Sequence, residues 1–112
     1  MISRRERIRL EDILQVIDDA HVILDSADFA EYQRSVAKRK GVERCIEIIS
    51  EASRHVSAEL LARNPEIPWS EIAGIGNLLR HHYRHVDDLV IWRAARKDLI
   101  ELRTAIEAYL AE

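Results

Sequence analysis

The chain has 112 residues, of which 47% are hydrophobic and 33% charged, and its formal net charge at pH 7 is −3. This length fits one domain with a modest core, and the apolar fraction excludes an intrinsically disordered chain. The acidic balance excludes nucleic-acid binding driven by the field of the whole molecule, so phosphate recognition must come from local patches. The single cysteine, Cys45, excludes an intramolecular disulfide and a thiolate metal cluster.

No run of the sequence comes close to the ~18 consecutive apolar residues that a membrane-spanning helix needs. The segment from Met1 to Asp12 is heavily charged and contains no apolar core of a signal peptide. We therefore expect a cytoplasmic protein that does not bind a membrane.

Apolar residues spaced by three and four predict an all-α, up-down bundle of four main helices with short helical segments between them. The first main helix is predicted from about Arg4 to Leu24. Either Ser26 or Asp28 is expected to cap a short helix that starts at Phe29. Gly41, after a basic run, is expected to mark a bend or a seam.

The second main helix is predicted from about Val42 to Val56, and Ser57 caps a short turn after it. The pairs Asn64-Pro65 and Ile67-Pro68 predict an extended connection, because a residue before proline avoids the α region. Ser70 is then expected to cap the third main helix.

The last main helix is expected to be capped by Asp87 or Asp88. Its apolar stripe consists of Trp92, Ala95, Leu99, Leu102, Ile106 and Tyr109. Together the four helices account for a single domain over residues 1–112.

The third main helix carries the most informative residues. At about 100° per residue, one side presents polar groups: Asn77, Arg80, His81 and Arg84. The other side presents Ile72, Ile75, Leu79 and Val86, with Tyr83 at the border. A histidine exchanges protons near neutral pH, and an arginine binds phosphate oxygens in a planar fork. This face therefore suits proton transfer beside a phosphate, although it is also the composition of an ordinary solvated surface.

Two glycines interrupt the same helix. Gly74 and Gly76 each cost about 1 kcal/mol relative to alanine in a helix interior. We expect a close contact with another helix, or with a second copy of the chain, to offset this cost.

The chain resembles the HepT-like proteins of the HEPN superfamily, which comprises small helical ribonucleases and nucleotide-binding domains. The segments that carry the resemblance are Arg9-Leu10-Glu11-Asp12-Ile13-Leu14, Val42-Glu43-Arg44, Ile48-Ile49-Ser50-Glu51-Ala52, Pro65-Glu66-Ile67-Pro68-Trp69, Ile72-Ala73-Gly74-Ile75, Val86-Asp87 and Trp92. The family motif Arg-Asn-x-Leu-x-His-x-Tyr is matched by Asn77, Leu79, His81 and Tyr83.

The resemblance implies an endoribonuclease toxin that works as a homodimer with facing motif helices and needs no metal or cofactor. His81 would be the general acid or base on an RNA substrate, and Asn77 and Arg84 would orient it or contact RNA. The partner would be an antitoxin, a minimal nucleotidyltransferase (MNT) that adds AMP to Tyr83. Tyr83 is alternatively a core residue with its hydroxyl at the rim.

Gly76 departs from the motif, because the family has its arginine there. This change predicts attenuated cleavage, with Arg80, one turn further along, as the substitute. Arg80 and His85 form a secondary arrangement with the same spacing as the family's arginine and histidine.

The alternative function is a catalytically inactive dimer that serves as binding partner and AMPylation target of the nucleotidyltransferase. A weaker alternative is a ligand-binding bundle unrelated to RNA.

Overall fold

The computed structural model describes residues 2–82 and 86–112. The helices are α1 (Arg4–Leu24), α2 (Phe29–Arg34), α3 (Val36–Ser53), α4 (Ala58–Arg63), α5 (Trp69–His82), α6 (Asp88–Arg93) and α7 (Leu99–Leu110). A π-helical turn over Ala94–Asp98 joins α6 to α7. The described residues form helices and turns without a strand, which confirms the predicted all-α bundle.

The helix α3 is the centre of the bundle, because it packs against both α1 and α5, while α7 packs against α1. The side chains at these contacts are the apolar residues that recur at intervals of three and four along each helix. The fully buried ones include Leu10, Ile13, Ile17, Leu24, Val42, Ile49, Leu102 and Ile106. Removing such side chains from water is the main force that holds the helices together.

The predicted bounds of α1 are confirmed, and so are three of the caps. Asp28 Oδ1 accepts a hydrogen bond from Glu31 N at 2.8 Å and caps α2, and Ser57 caps α4 through Leu60 N. Asp87 Oδ1 accepts one from Leu89 N at 2.9 Å and caps α6. Each cap satisfies an N–H group that has no partner within its helix.

The prediction that α3 begins near Val42, after a bend at Gly41, is wrong. Ser35 Oγ accepts from Lys38 N and starts α3 at Val36, so the helix runs straight through Gly41. A Cβ atom at this glycine would lie 3.0 Å from Ile23 Cδ1. Gly41 is therefore the expected seam between helices but not a bend.

Two further boundaries differ from the predicted ones. Ser70 does not cap α5, because the helix already includes Trp69 and Pro68 O accepts the hydrogen bond from Ile72 N. The helix α3 ends at Ser53, before the predicted Val56.

Cys45 lies in the core with 7% of its surface exposed. Burial raises the pKa of its thiol, and the nearby Asp19 carboxylate adds to the rise. The thiolate is the reactive form, and the raised pKa disfavours it, so this cysteine is a packing residue.

Within residues 2–82 and 86–112, no helix is long and apolar enough to cross a bilayer.

Candidate functional site

The helix α5 divides into two faces, as the spacing predicts. Ile72 and Leu79 are buried against the bundle, whereas Asn77, Arg80 and His81 are exposed. Because Asn77 and His81 are four residues apart, their side chains are neighbours on the helix surface. The described part of α5 therefore presents an amide, a guanidinium group and an imidazole to solvent.

Gly76 lies on the inner side of α5, at its crossing with α3. A Cβ atom there would lie 2.3 Å from Ser50 Oγ and 2.5 Å from Ser50 Cβ, so no larger side chain fits the observed helix spacing. The expected close helix–helix contact is confirmed at this glycine. At Gly76 the chain therefore has a contact that brings two helices together.

Ser50 joins the two helices through hydrogen bonds at the same crossing. Its hydroxyl donates to Ala73 O at 2.8 Å and accepts from Gly76 N at 3.1 Å. Arg54 Nη2 also donates to Ala73 O, at 2.9 Å. Because Ser50 is fully buried, these bonds satisfy a polar group that burial would otherwise penalise. They fix how deeply α5 sits and which of its residues face outward.

Arg80 reaches from α5 towards α3. Its Nη1 atom lies 4.0 Å from Glu51 Oε2, and Glu51 follows the residue that contacts Gly76. The guanidinium group of Arg80 therefore lies at the edge of the contact between α5 and α3.

Glu51 has two further cationic neighbours. Arg54 Nε lies 3.9 Å from its Oε2 atom, and His55 Nε2 lies 3.7 Å from its Oε1 atom. The sequence pattern alone assigns no role to Ser50 or Glu51. The one sequence signal for Ser50 is a serine at a core-facing position of an amphipathic helix. Glu51 has the pattern of an ordinary surface residue.

Gly74 has the opposite environment to Gly76. A Cβ atom at Gly74 would meet nothing within 4 Å, and Leu78, one turn further along, is 47% exposed. Gly74 and Leu78 lie on the same outer side of α5 as His81. The contact that would offset the cost of Gly74 is therefore not made within the described chain.

Three of the predicted residues, Tyr83, Arg84 and His85, lie outside the described residues. Of the predicted site residues that the structure describes, Asn77 and His81 lie on one exposed face and Arg80 lies at its edge. Across the part of the chain that is described, no group of three or more His, Cys, Asp and Glu side chains is arranged to hold a metal ion.

Comparison with known proteins gives matches over nearly the whole chain. The profile of the family described as "Ribonuclease HepT-like" matches residues 13–109. Two proteins of Methanocaldococcus jannaschii with RNase in their names are 30% and 31% identical, over 96% and 100% of this chain and 98% and 97% of their own lengths. "Probable ribonuclease HepT" of Thermococcus cleftensis is 30% identical over 95% of this chain and 96% of its own. No solved structure matches.

Proposed function

The chain belongs to the HepT-like ribonuclease family, and from this premise we propose that it is a metal-independent endoribonuclease, the toxin subunit of a HEPN/MNT toxin–antitoxin pair. The observation that carries the proposal is the exposed group of Asn77, Arg80 and His81 on α5. These side chains supply a proton-transfer group and a phosphate-binding cation on adjacent parts of one helix. The RNA is the substrate, and an MNT-type nucleotidyltransferase is the antitoxin.

The reaction is a transesterification. The 2′-hydroxyl oxygen attacks the adjacent phosphorus, and the bond between phosphorus and the 5′ oxygen of the next nucleotide breaks. His81 of one subunit accepts the proton of the 2′-hydroxyl, and His81 of the second subunit donates a proton to the leaving 5′ oxygen. The products end in a 2′,3′-cyclic phosphate and a 5′-hydroxyl.

Arg80 stabilises the extra negative charge that the phosphorus centre carries in the transition state. Its flexible side chain starts one helical turn after Gly76 and extends towards Glu51 on α3. Asn77 orients the neighbouring imidazole of His81 or contacts the RNA. Because Arg80 starts one turn from the motif position, we expect slower cleavage than by a chain with the complete motif.

The test is cleavage of a mixed panel of RNAs in the presence of EDTA. We expect activity to persist in EDTA and to fall at least about 100-fold in His81→Ala and about 100-fold in Arg80→Ala. Arg93→Ala is the matched control, because its side chain is exposed and lies at the end of α6, on a different helix from Arg80 and His81. Activity that needs a divalent metal, or that survives in His81→Ala, contradicts the mechanism.

The buried position of Gly76 favours one alternative, a catalytically inactive dimer that is the binding partner and AMPylation target of the nucleotidyltransferase. Transfer of AMP to Tyr83 requires a hydroxyl within reach of the partner's nucleotide and does not require the motif arginine. Coexpression with a cognate nucleotidyltransferase should then add AMP to an inactive protein, detected by mass spectrometry, and Tyr83→Phe should prevent it. An adduct that silences measurable cleavage favours the toxin instead.

A further inference from the structure

A surface cleft of about 380 Å³ lies between α3 and α5, beside the proposed catalytic face. Its lining consists of Arg44, Glu47, Ile48, Glu51, Ala52 and Arg80. The volume falls in the range of about 300–1,000 Å³ that small-molecule sites occupy. The catalytic proposal uses only Arg80 of this set, so the apolar surface and the carboxylates of the cleft have no role in it.

The cleft combines an apolar surface with charged groups at its edges. Ile48 is 38% exposed and Ala52 is half-buried, so their side chains offer apolar surface for the face of a ring. Arg44 on α3 and Arg80 on α5 also line the cleft, and a guanidinium plane both stacks on a base and binds phosphate. A base of single-stranded RNA matches this combination of surfaces.

The two carboxylates of the cleft differ in their capacity to accept hydrogen bonds. Glu47 Oε1 accepts a hydrogen bond from Arg44, and its side chain is only 20% exposed. Glu51 is 57% exposed, and its cationic neighbours stand 3.7 to 4.0 Å away. These separations exceed the hydrogen-bond range of about 2.7–3.2 Å. Both oxygens of Glu51 therefore retain lone pairs for a ligand.

We infer that this cleft is a base-binding subsite that selects guanine in single-stranded RNA, with Glu51 as the specificity residue. Guanine presents two adjacent donors, N1–H and N2–H, which a single carboxylate accepts together, whereas uracil presents one imino donor. Arg80 holds the neighbouring phosphate, so the selected nucleotide lies next to His81. This inference rests on the proposed function for its substrate, RNA.

The test measures binding rather than cleavage. The His81→Ala protein keeps the RNA intact, and fluorescence anisotropy compares oligouridylates that carry one guanosine, one inosine or no substitution. We expect the guanosine oligomer to bind about five- to tenfold more tightly than oligouridylate. Inosine lacks the N2 amino group and should lose about threefold of that preference.

Glu51→Gln, made in the same His81→Ala protein, replaces one acceptor oxygen by a donor and should abolish the preference for guanosine. Glu107→Gln on α7 is the matched control, because it removes an exposed carboxylate away from the cleft. Equal binding of all three oligomers overturns the inference. So does a Glu51→Gln protein that binds all of them more tightly, because Glu51 would then merely compete with phosphate for Arg80.

The outcomes separate this inference from the proposed function. A guanosine preference that depends on Glu51, in a protein whose unmutated form cleaves no RNA, supports the subsite and refutes the nuclease. Cleavage that depends on His81 without any base preference supports the nuclease and refutes the subsite.

Discussion

Gly74 and Gly76 are two residues apart in α5, yet their surroundings are opposite. Gly76 is pressed against Ser50, whereas Gly74 faces open space. The sequence predicts the cost of a glycine at both positions and the need for a contact to offset it. It does not tell which glycine makes the contact, because that depends on the rotation of α5 about its axis. Ser50 sets that rotation, and its role becomes visible only in the packed structure.

We expect Gly76→Ala to lower the free energy of unfolding by about 1–3 kcal/mol, because the new methyl group overpacks the crossing with α3. Gly74→Ala, made in the Leu78→Glu protein so that dimer contacts do not contribute, should raise it by about 0.5–1 kcal/mol, because the open position gains helix propensity without a clash. Chemical denaturation at equal protein concentrations measures both. Equal effects of the two substitutions would contradict the packing role of Gly76.

A double-mutant cycle identifies the atom responsible. Ser50→Gly removes the two atoms that lie within 2.5 Å of the added methyl group. In the Ser50→Gly protein, Gly76→Ala should therefore cost less than in the unmutated one, with a coupling of about 1 kcal/mol or more. Independent, additive effects would show that the strain arises elsewhere. For the same reason Gly76→Arg is expected to disturb folding rather than to restore the motif.

The helices are predictable from sequence to different degrees. The bounds of α1 follow from its long apolar stripe, and Asp28 and Ser57 begin helices as their residue types suggest. The bend at Gly41 is predicted because glycine usually interrupts a helix, but this prediction is wrong. Here the glycine instead lets Ile23 of α1 approach α3 closely. Such a contact joins residues far apart in the chain, and no local pattern encodes it.

The N-cap of α2 can be tested with two variants, because the sequence offers both Ser26 and Asp28 as capping residues. The structure selects Asp28, whose carboxylate accepts from Glu31 N. We expect Asp28→Ala to lower the free energy of unfolding by about 1 kcal/mol, and Ser26→Ala to change it by less than about 0.5 kcal/mol. Thermal or urea unfolding distinguishes them. A larger effect of Ser26→Ala would assign the cap to the other residue.

At the scale of the whole molecule, α3 is enclosed by α1 on one side and α5 on the other. This arrangement leaves the outer side of α5, with Gly74, Leu78 and His81, uncovered within the described chain. The absence of a side chain at Gly74 lets another helix approach closely, and Leu78 offers apolar surface to bury. The sequence predicts this face from its helical period, and a second copy of the chain is the partner we propose for it.

We expect the protein to be a homodimer at micromolar concentration, with α5 facing its symmetry mate and two copies of His81 sharing one groove. Leu78→Glu would place two like charges in an apolar interface, so it should weaken the dimer by at least about 100-fold. Val22→Glu is the control, because Val22 is 77% exposed on α1. Sedimentation velocity over a concentration series measures both variants. A stable monomer, or a dimer that Val22→Glu disrupts and Leu78→Glu does not, would refute the assignment of this face.

The same two variants test whether the site needs both subunits. Loss of RNA cleavage in monomeric Leu78→Glu, at a concentration where Val22→Glu is active, would show that it does.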